Sequence, residues 1–515
     1  MGTYVMGIDN GGTSSKAAIY DLQGKEIAKC TTYTKMLTPH HYWTERDMDE
    51  LKEVNFAAIR GAMKKAGIDG RDIAGIGVTG HGNGLYLVGE NGSVVRNGII
   101  STDNRAHKIV RQWLSDPAYE EIVRPRTFAT VWASQPPALL AWLDAHEPEA
   151  FEKTQWVFMI TDLVRYWLTG EAYSERSNAS GTSMLNLSTE AFDADVMSFF
   201  GIAHWMEKLP PLIGSAEQAG RVTEEVAAAT GLCAGTPVAG GLFDITACAI
   251  STGLLQHDQL SVVTGTWSIN QFIDSSIRVQ KDLFMTSDYP LAKEYLLTEA
   301  SPTSGSNLTW FIENFMQDEE RKEGEDIYDL CSRLVESLPP ESSKLLFYPF
   351  IFGSNAGIEN ATAGFIGATK DTGKAAFLRA VYEGVCFAHK AHVERLLRIN
   401  DKLLTKPIRI AGGITNSLTW LQMFADVFGT SLEMVSVKEN GALGAAMAAA
   451  VMTGAFPDFG KAAECMVSVS RTISPDPERT RIYAKKYALY QKAVSDQARV
   501  WQDIESLEDD LSLAQ

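Results

Sequence analysis

The sequence predicts an α/β protein made of two related lobes. Three observations carry that prediction. The chain has 515 residues, more than one hydrophobic core usually holds. A short apolar run that breaks into a Gly/Thr loop occurs twice. Residues 4–8 run into Asp9-Asn10-Gly11-Gly12-Thr13-Ser14-Ser15-Lys16, and residues 260–263 run into Thr264-Gly265-Thr266. A strand-like run ending in a diglycine also occurs twice, at 238–244 (Val-Ala-Gly-Gly-Leu-Phe-Asp) and at 408–417 (Ile-Arg-Ile-Ala-Gly-Gly-Ile-Thr-Asn-Ser). Two copies spaced near half the chain mean two lobes, not a solenoid.

In order along the chain, residues 4–8, 16–20 and 26–32 read as three strands, with Leu22-Gln23-Gly24 as a turn. Residues 48–66 read as an amphipathic helix with Leu51, Val54, Ala58 and Ala62 on one face. Asp47 is placed to cap it, and Glu50 holds the capping-box position. The next strand, 73–79, ends in Gly80-His81-Gly82-Asn83-Gly84. Residues 115–235 are mixed and mostly helical, decorating the first lobe. The second lobe opens near Gly253 with strands at 260–263, 268–273 and 295–299. The charged run 317–326 is a solvated surface segment. Residues 345–349 lead into Phe352-Gly353-Ser354-Asn355-Ala356. A long helix at 375–397 precedes the strand–diglycine–helix unit at 407–428 and a strand at 432–437. The Ala/Gly-rich segment after Gly441 reads as a closely packed internal helix. Tyr483, Tyr487, Tyr490 and Val494 sit at helical spacing and dock the last helix, and the acidic tail after Ser506 frays. The lobes divide at 1–247 and 248–515, with a short hinge at 245–258.

A net charge of −18 argues against a nucleic-acid or anionic-membrane partner. The six cysteines show no CxxC pair and read as buried free thiols in a reducing compartment. No secretory signal is visible, and Met1-Gly2 lacks the Ser or Thr at position 6 of a myristoylation motif. No apolar stretch reaches the roughly 20 residues needed to span a bilayer. The expectation is a cytoplasmic protein, with a homodimer left open.

The chemistry concentrates in the repeated loops. Residues 9–16 combine a carboxylate, two glycines, three hydroxyls and a cation. A phosphate needs such donors and a counter-charge, and its Mg²⁺ needs a carboxylate. A polar β-turn is the bland account of this loop. It is not a Walker A motif, because the spacing is absent. Thr264-Gly265-Thr266 gains weight from its matching position in the second lobe: two such turns facing across a cleft can hold a triphosphate from both sides. Asp244, at the tip of the diglycine turn, is the candidate base for a substrate hydroxyl, with a helix N-cap as the alternative. Gly412 and Gly413 let a flat base pack on the backbone, with Asn416 or Ser417 bonding its edge. His81, Asn83, Asp103 and Arg105 have the donor–acceptor mix a sugar needs, and a structural Asp103–Arg105 contact is the competing account. His389 and His392 read as satisfied structural histidines, not metal ligands.

These segments, with Gly364-Phe365-Ile366-Gly367 and Tyr382-Glu383-Gly384-Val385, resemble the FGGY carbohydrate kinases over essentially the whole chain and in the right order. The resemblance implies two actin/hexokinase-like (ribonuclease H-like) lobes with ATP bound in the cleft. It implies Asp244 as base and Asp9 near Mg²⁺, with Asp244 bordering the metal. It puts Gly11, Gly12, Thr13, Ser14, Ser15, Lys16, Thr264, Gly265 and Thr266 at the phosphates. Gly412, Gly413, Asn416 and Ser417 fall at adenine. His81, Asn83, Asp103, Arg105, Trp132, Trp267 and Asp244 fall at the sugar.

Within the family the chain is most similar to L-xylulose kinases, on His81-Gly82-Asn83-Gly84, Thr130-Val131-Trp132 and Glu299-Ala300-Ser301-Pro302-Thr303-Ser304. That implies phosphorylation of L-xylulose at its terminal hydroxyl, giving L-xylulose 5-phosphate. Three positions depart from family patterns. Gly12 stands where glycerol kinases have Thr, and Leu139 stands near a usual lysine. Gly82-Asn83 replaces an Arg-Glu pair, which argues against a triol. Kinases of D-xylulose, ribulose or a signalling diol stay open as alternatives, as does an actin- or chaperone-like ATPase.

Overall fold

The computed structural model describes residues 3–280, 283–354, 358 and 360–512. Met1-Gly2, Asn355-Ala356 and the end of the acidic tail lie outside the described residues. Two seven-stranded mixed sheets organise the chain. The first runs in the order Gln218–Arg221, Pro237–Ala239, Ile73–Gly80, Tyr4–Asn10, Ser14–Tyr20, Glu26–Tyr33, and Leu242–Phe243 also pairs with Ile73–Gly80. The second runs Met285–Tyr289, Glu294–Ser301, Ser268–Asp274, Ser261–Thr264, Ile408–Gly412, Leu432–Val435, Val469–Ile473.

Each sheet joins an antiparallel meander, through its first strand, to a parallel neighbour. This is the predicted duplication, displaced in one respect. Ile408–Gly412 takes the place of Ile73–Gly80, beside the first strand, while Leu432–Val435 takes that of Pro237–Ala239. The likeness of 408–417 to 238–244 is therefore one of turn chemistry, not of position. Both turns need a left-handed residue pressed on a neighbouring strand. Gly241 has φ 98° and Gly412 φ 97°, and at each a Cβ would lie 2.5 Å from a strand carbonyl, that of Val78 or of Thr264.

The Met48–Ala66 helix forms as its pattern predicts, with Leu51, Ala58 and Ala62 buried and Val54 half-buried. Asp47 caps it by accepting from Glu50 N–H at 2.8 Å. The reciprocal half of the capping box is absent: the Glu50 carboxylate accepts instead from Thr34 Oγ1 and Lys35 N–H. The strand Met285–Tyr289 has no clear alternating signal and goes unpredicted, as does Gln218–Arg221 in the helical stretch, whereas Pro237–Ala239 is the strand-like run read before the first diglycine. All six cysteines are free, but only Cys331 and Cys386 are fully buried and Cys465 is exposed, which corrects the expectation of buried thiols. Tyr483, Tyr487 and Tyr490 are buried and dock the last helix. Among the described residues no helix is long and apolar enough to cross a membrane.

The Asn440–Met452 helix belongs to the second half of the chain yet rests on the first sheet. It is buried from Asn440 to Ala450. Glycines permit the approach. A Cβ on Gly7 would lie 1.8 Å from the Ala442 carbonyl oxygen, and one on Gly77 1.8 Å from that of Ala445. On the helix's other side, Gly444 packs against Ala247 in the Asp244–Ser251 helix. Helix and sheet thus meet backbone to backbone, and the Asp244 helix is wedged against both.

Candidate active site

A cavity of about 420 Å³ is lined from both halves of the chain. Gly12, Thr13, His81, Asn83, Trp132 and Asp244 come from the first half, and Gly265, Thr266 and Trp267 from the second. Nine of the sequence-predicted residues therefore meet in one place.

Asp244 stands in the first turn of its helix, after Phe243 in the N-cap position. An N-capping side chain accepts from an amide two or three residues on, whereas Asp244 Oδ1 accepts from the adjacent Ile245 N–H at 2.7 Å. The capping account therefore does not hold. Burial, then the Asp9 carboxylate, pushes the Asp244 pKa up to about 7, against the pull of the Ile245 and Gly82 amides. Such a group can take a proton from a hydroxyl near neutral pH.

Asp9 is held by the sheet, not by the loop. The first strand continues to Asn10, and Asp9 pairs with Lys16 across it. Burial raises the Asp9 pKa to about 6, with Lys16 lowering it and Glu439 raising it. Gly441 makes room for this carboxylate, since a Cβ there would lie 2.5 Å from Asp9 Oδ2.

The first loop closes tightly, Gly11 N–H donating to the Ser14 carbonyl at 2.9 Å. Gly12 and Thr13 face the cavity. Ser15 does not: its hydroxyl is buried and donates to Asn55 Oδ1 at 2.7 Å. Lys16 Nζ lies 2.8 Å from Glu439 Oε2, and Lys29 holds the other oxygen at 2.8 Å. The loop is braced from behind by Arg46, which is fully buried and donates to the carbonyls of Gly11 and Gly12. In the sequence Arg46 looks like an ordinary charge before a helix, and nothing there signals this role.

In the second half, Thr264 turns inward, its hydroxyl donating to the Ala411 carbonyl at 2.8 Å, and only Gly265 and Thr266 reach the cavity. Thr264 is in register with Gly412, so the 412–417 turn adjoins this loop. Gly413 and Asn416 are exposed beside it, while Ser417 caps the Leu418–Phe428 helix and meets Ser332 Oγ at 2.9 Å.

At the other end, burial pushes the His81 pKa down to about 3, so the ring is neutral, and its Nε2 lies 2.9 Å from Tyr86 Oη. Asn83 adopts φ 61° and, among the described residues, its buried Oδ1 has no partner, an acceptor left for a ligand. Asp103 and Arg105 are a correction to the predicted sugar cluster. Arg105 donates to both Asp103 oxygens at 2.9 Å and to Glu45 Oε1 at 2.8 Å, and its guanidinium stacks over Trp43. Both side chains are fully buried in this structural knot and neither lines the cavity. Trp132 and Trp267 do line it, joined by Phe284, which no sequence motif announces. His389 and His392 are satisfied structural histidines, bonded to Asn270 and Ser304 and to Glu299 and Ser301.

Comparison with known proteins identifies the family. Residues 4–251 match the N-terminal domain, and residues 260–453 the C-terminal domain, of the FGGY family of carbohydrate kinases. The chain is 38% identical over 497 residues to the L-xylulose/3-keto-L-gulonate kinase of Escherichia coli, covering 96% of this chain and 97% of that one. It is 35% identical to a probable L-xylulose kinase of Pasteurella multocida, covering 95% and 98%. Its fold matches a solved gluconate kinase of Lactobacillus acidophilus with a TM-score of 0.87 at 22% identity, covering 97% and 99%. With both domains matched in order and the fold shared end to end, the chain belongs to the FGGY family of carbohydrate kinases, the ATP-dependent sugar phosphotransferases.

Proposed function

We propose that this protein transfers the γ-phosphate of ATP to the terminal hydroxyl of a ketopentose, L-xylulose first, giving L-xylulose 5-phosphate. The observation that carries the reading is the meeting, in one cavity, of the Asp244 carboxylate, both Gly/Thr loops and the unpartnered Asn83 acceptor. The sugar hydroxyl attacks the γ-phosphorus as the bond to the ADP oxygen breaks, and its proton passes to Asp244. Gly12, Thr13 and Thr266 donate to phosphate oxygens, and the 412–417 turn holds adenine. His81, Asn83, Trp132 and Trp267 hold the sugar. Two buried carboxylates, Asp9 raising the pKa of Asp244, with Gly441 opening space at Asp9, suit a divalent cation, and we assign Mg²⁺ to Asp9 with Asp244 at its border. When bound, that ion neutralises phosphate charge. The names of the two relatives favour L-xylulose.

We assign residues 1–247 to a sugar-binding lobe carrying the base, and 248–515 to a nucleotide lobe. The division falls inside the Asp244–Ser251 helix, whose two ends then serve one lobe each. A cytoplasmic location accords with a metabolic kinase.

The test is ADP release with L-xylulose, D-xylulose, L- and D-ribulose and 3-keto-L-gulonate at equal concentration. The highest kcat/KM is expected with L-xylulose. Preference for another sugar by tenfold or more would move the substrate assignment, and ATP hydrolysis indifferent to every sugar would overturn the reading.

A further inference from the structure

The Glu294–Ser301 strand alternates. Thr298 and Ala300 face the cavity, while Glu299 between them points the other way and is 1% exposed. A carboxylate removed from water is costly unless its lone pairs are filled. Here Glu299 Oε2 accepts from His392 Nδ1 at 2.9 Å and from an Arg395 guanidinium nitrogen at 2.6 Å. The other oxygen, Oε1, accepts from the backbone N–H of Phe284 at 3.0 Å. His392 is fixed in turn by Ser301 Oγ at 2.7 Å from Nε2. Arg395 and His392 sit on the long Lys374–Ile399 helix, so that helix is tied through one buried carboxylate to a single residue of the cavity wall.

Phe284 itself faces the first half. Its ring stacks on Trp132 with centroids 5.1 Å apart and planes at 27°, and lies 6.2 Å from that of Trp267. The backbone bonds across as well: Thr130 N–H donates to the Phe284 carbonyl at 3.4 Å, and Thr286 N–H to the Phe128 carbonyl at 2.9 Å. An aromatic face beside polar donors and acceptors suits the C–H side of a sugar, and its position decides which stereoisomer packs.

We infer that Phe284 is a specificity-determining sugar contact supplied by the second half of the chain, and that Glu299 and His392 are its positioning residues. This rests on the proposed sugar-kinase reading. Phe284→Ala is expected to raise the sugar KM about tenfold, the loss of one good aromatic contact, and to narrow the preference among ketopentoses. ATP KM should stay within about twofold on the same argument. Glu299→Gln lies outside the cavity, so a shift of its sugar KM in the same direction, with ATP KM unmoved, reads positioning. A merely structural role would lower the thermal midpoint and leave the two KM values unsplit. Phe284→Leu should restore part of the loss. If Glu299→Gln does not fold, His392→Asn, which keeps a donor toward Glu299, reads the same split. Unaltered chain active on a ketopentose, with sugar KM unchanged in Phe284→Ala, overturns the inference alone. An unaltered chain inactive on every ketopentose overturns the sugar reading and this inference together.

Discussion

A carboxyl group that keeps its proton to about pH 7 is a poor base below that pH. The sugar kcat/KM of the free enzyme should therefore fall as pH drops through about 7, and a rate flat from pH 5 to 8 would contradict Asp244 as base. Asp244→Asn should lower kcat by roughly 10²–10⁴-fold while ATP affinity holds; a variant keeping a tenth of wild-type turnover would exclude the role. Stability gives an independent check. The folded chain holds this proton to about pH 7 and the unfolded chain only to 3.8, so the folded state binds more protons in between. Stability then falls as pH rises across that window. Asp244→Asn should remove part of that fall, seen as a shallower slope of thermal midpoint against pH. The place of Asp244 in the cavity was legible in the sequence because an acid after a diglycine at a strand end sits at a turn tip, a pattern that a helix N-cap also fits. Arg46 was not, because its carbonyl partners at Gly11 and Gly12 lie far upstream. Asp103 and Arg105 carry the right chemistry for a sugar, but Glu45 and Trp43 claim it, and only folding brings those two alongside.

Elements show where pattern reading succeeds and stops. The strands and helices that flank the cleft follow from apolar spacing and glycine breaks, and their ends fall within a few residues of prediction. The matching of one copy to the other does not follow, because a diglycine reports a local backbone need and not a place in a sheet. The contact between the Asn440–Met452 helix and the first sheet makes that need testable. Gly77→Ala puts a methyl where the Ala445 carbonyl stands, and neither backbone can yield without parting helix from sheet. It should destabilise by about 1–3 kcal/mol or more, measured by chemical denaturation. Gly12→Ala meets nothing within 4 Å among the described residues and should stay within about 0.5 kcal/mol. Equal effects would mean that the close approach does not hold the fold.

For the whole molecule, the two halves touch around the cavity through the Phe284–Trp132 stack, the Arg176–Asp288 ion pair and the strand contacts at 128–130. Substrates must enter and water must then be excluded, so these contacts should open and close during turnover. Small-angle scattering should show compaction when saturating sugar and a non-hydrolysable nucleotide are added together, and an unchanged radius of gyration would count against closure. The helix at Asn440–Met452 has a further consequence, for biosynthesis. The ribosome makes the first sheet long before it makes the helix that covers one face of it. Until then the stripe through Gly7 and Gly77 has no backbone to lie against, and the emerging half-chain is open to aggregation. A nonsense codon between Thr252 and Glu439 would therefore cost the cell both halves of the enzyme, including the one already fully translated.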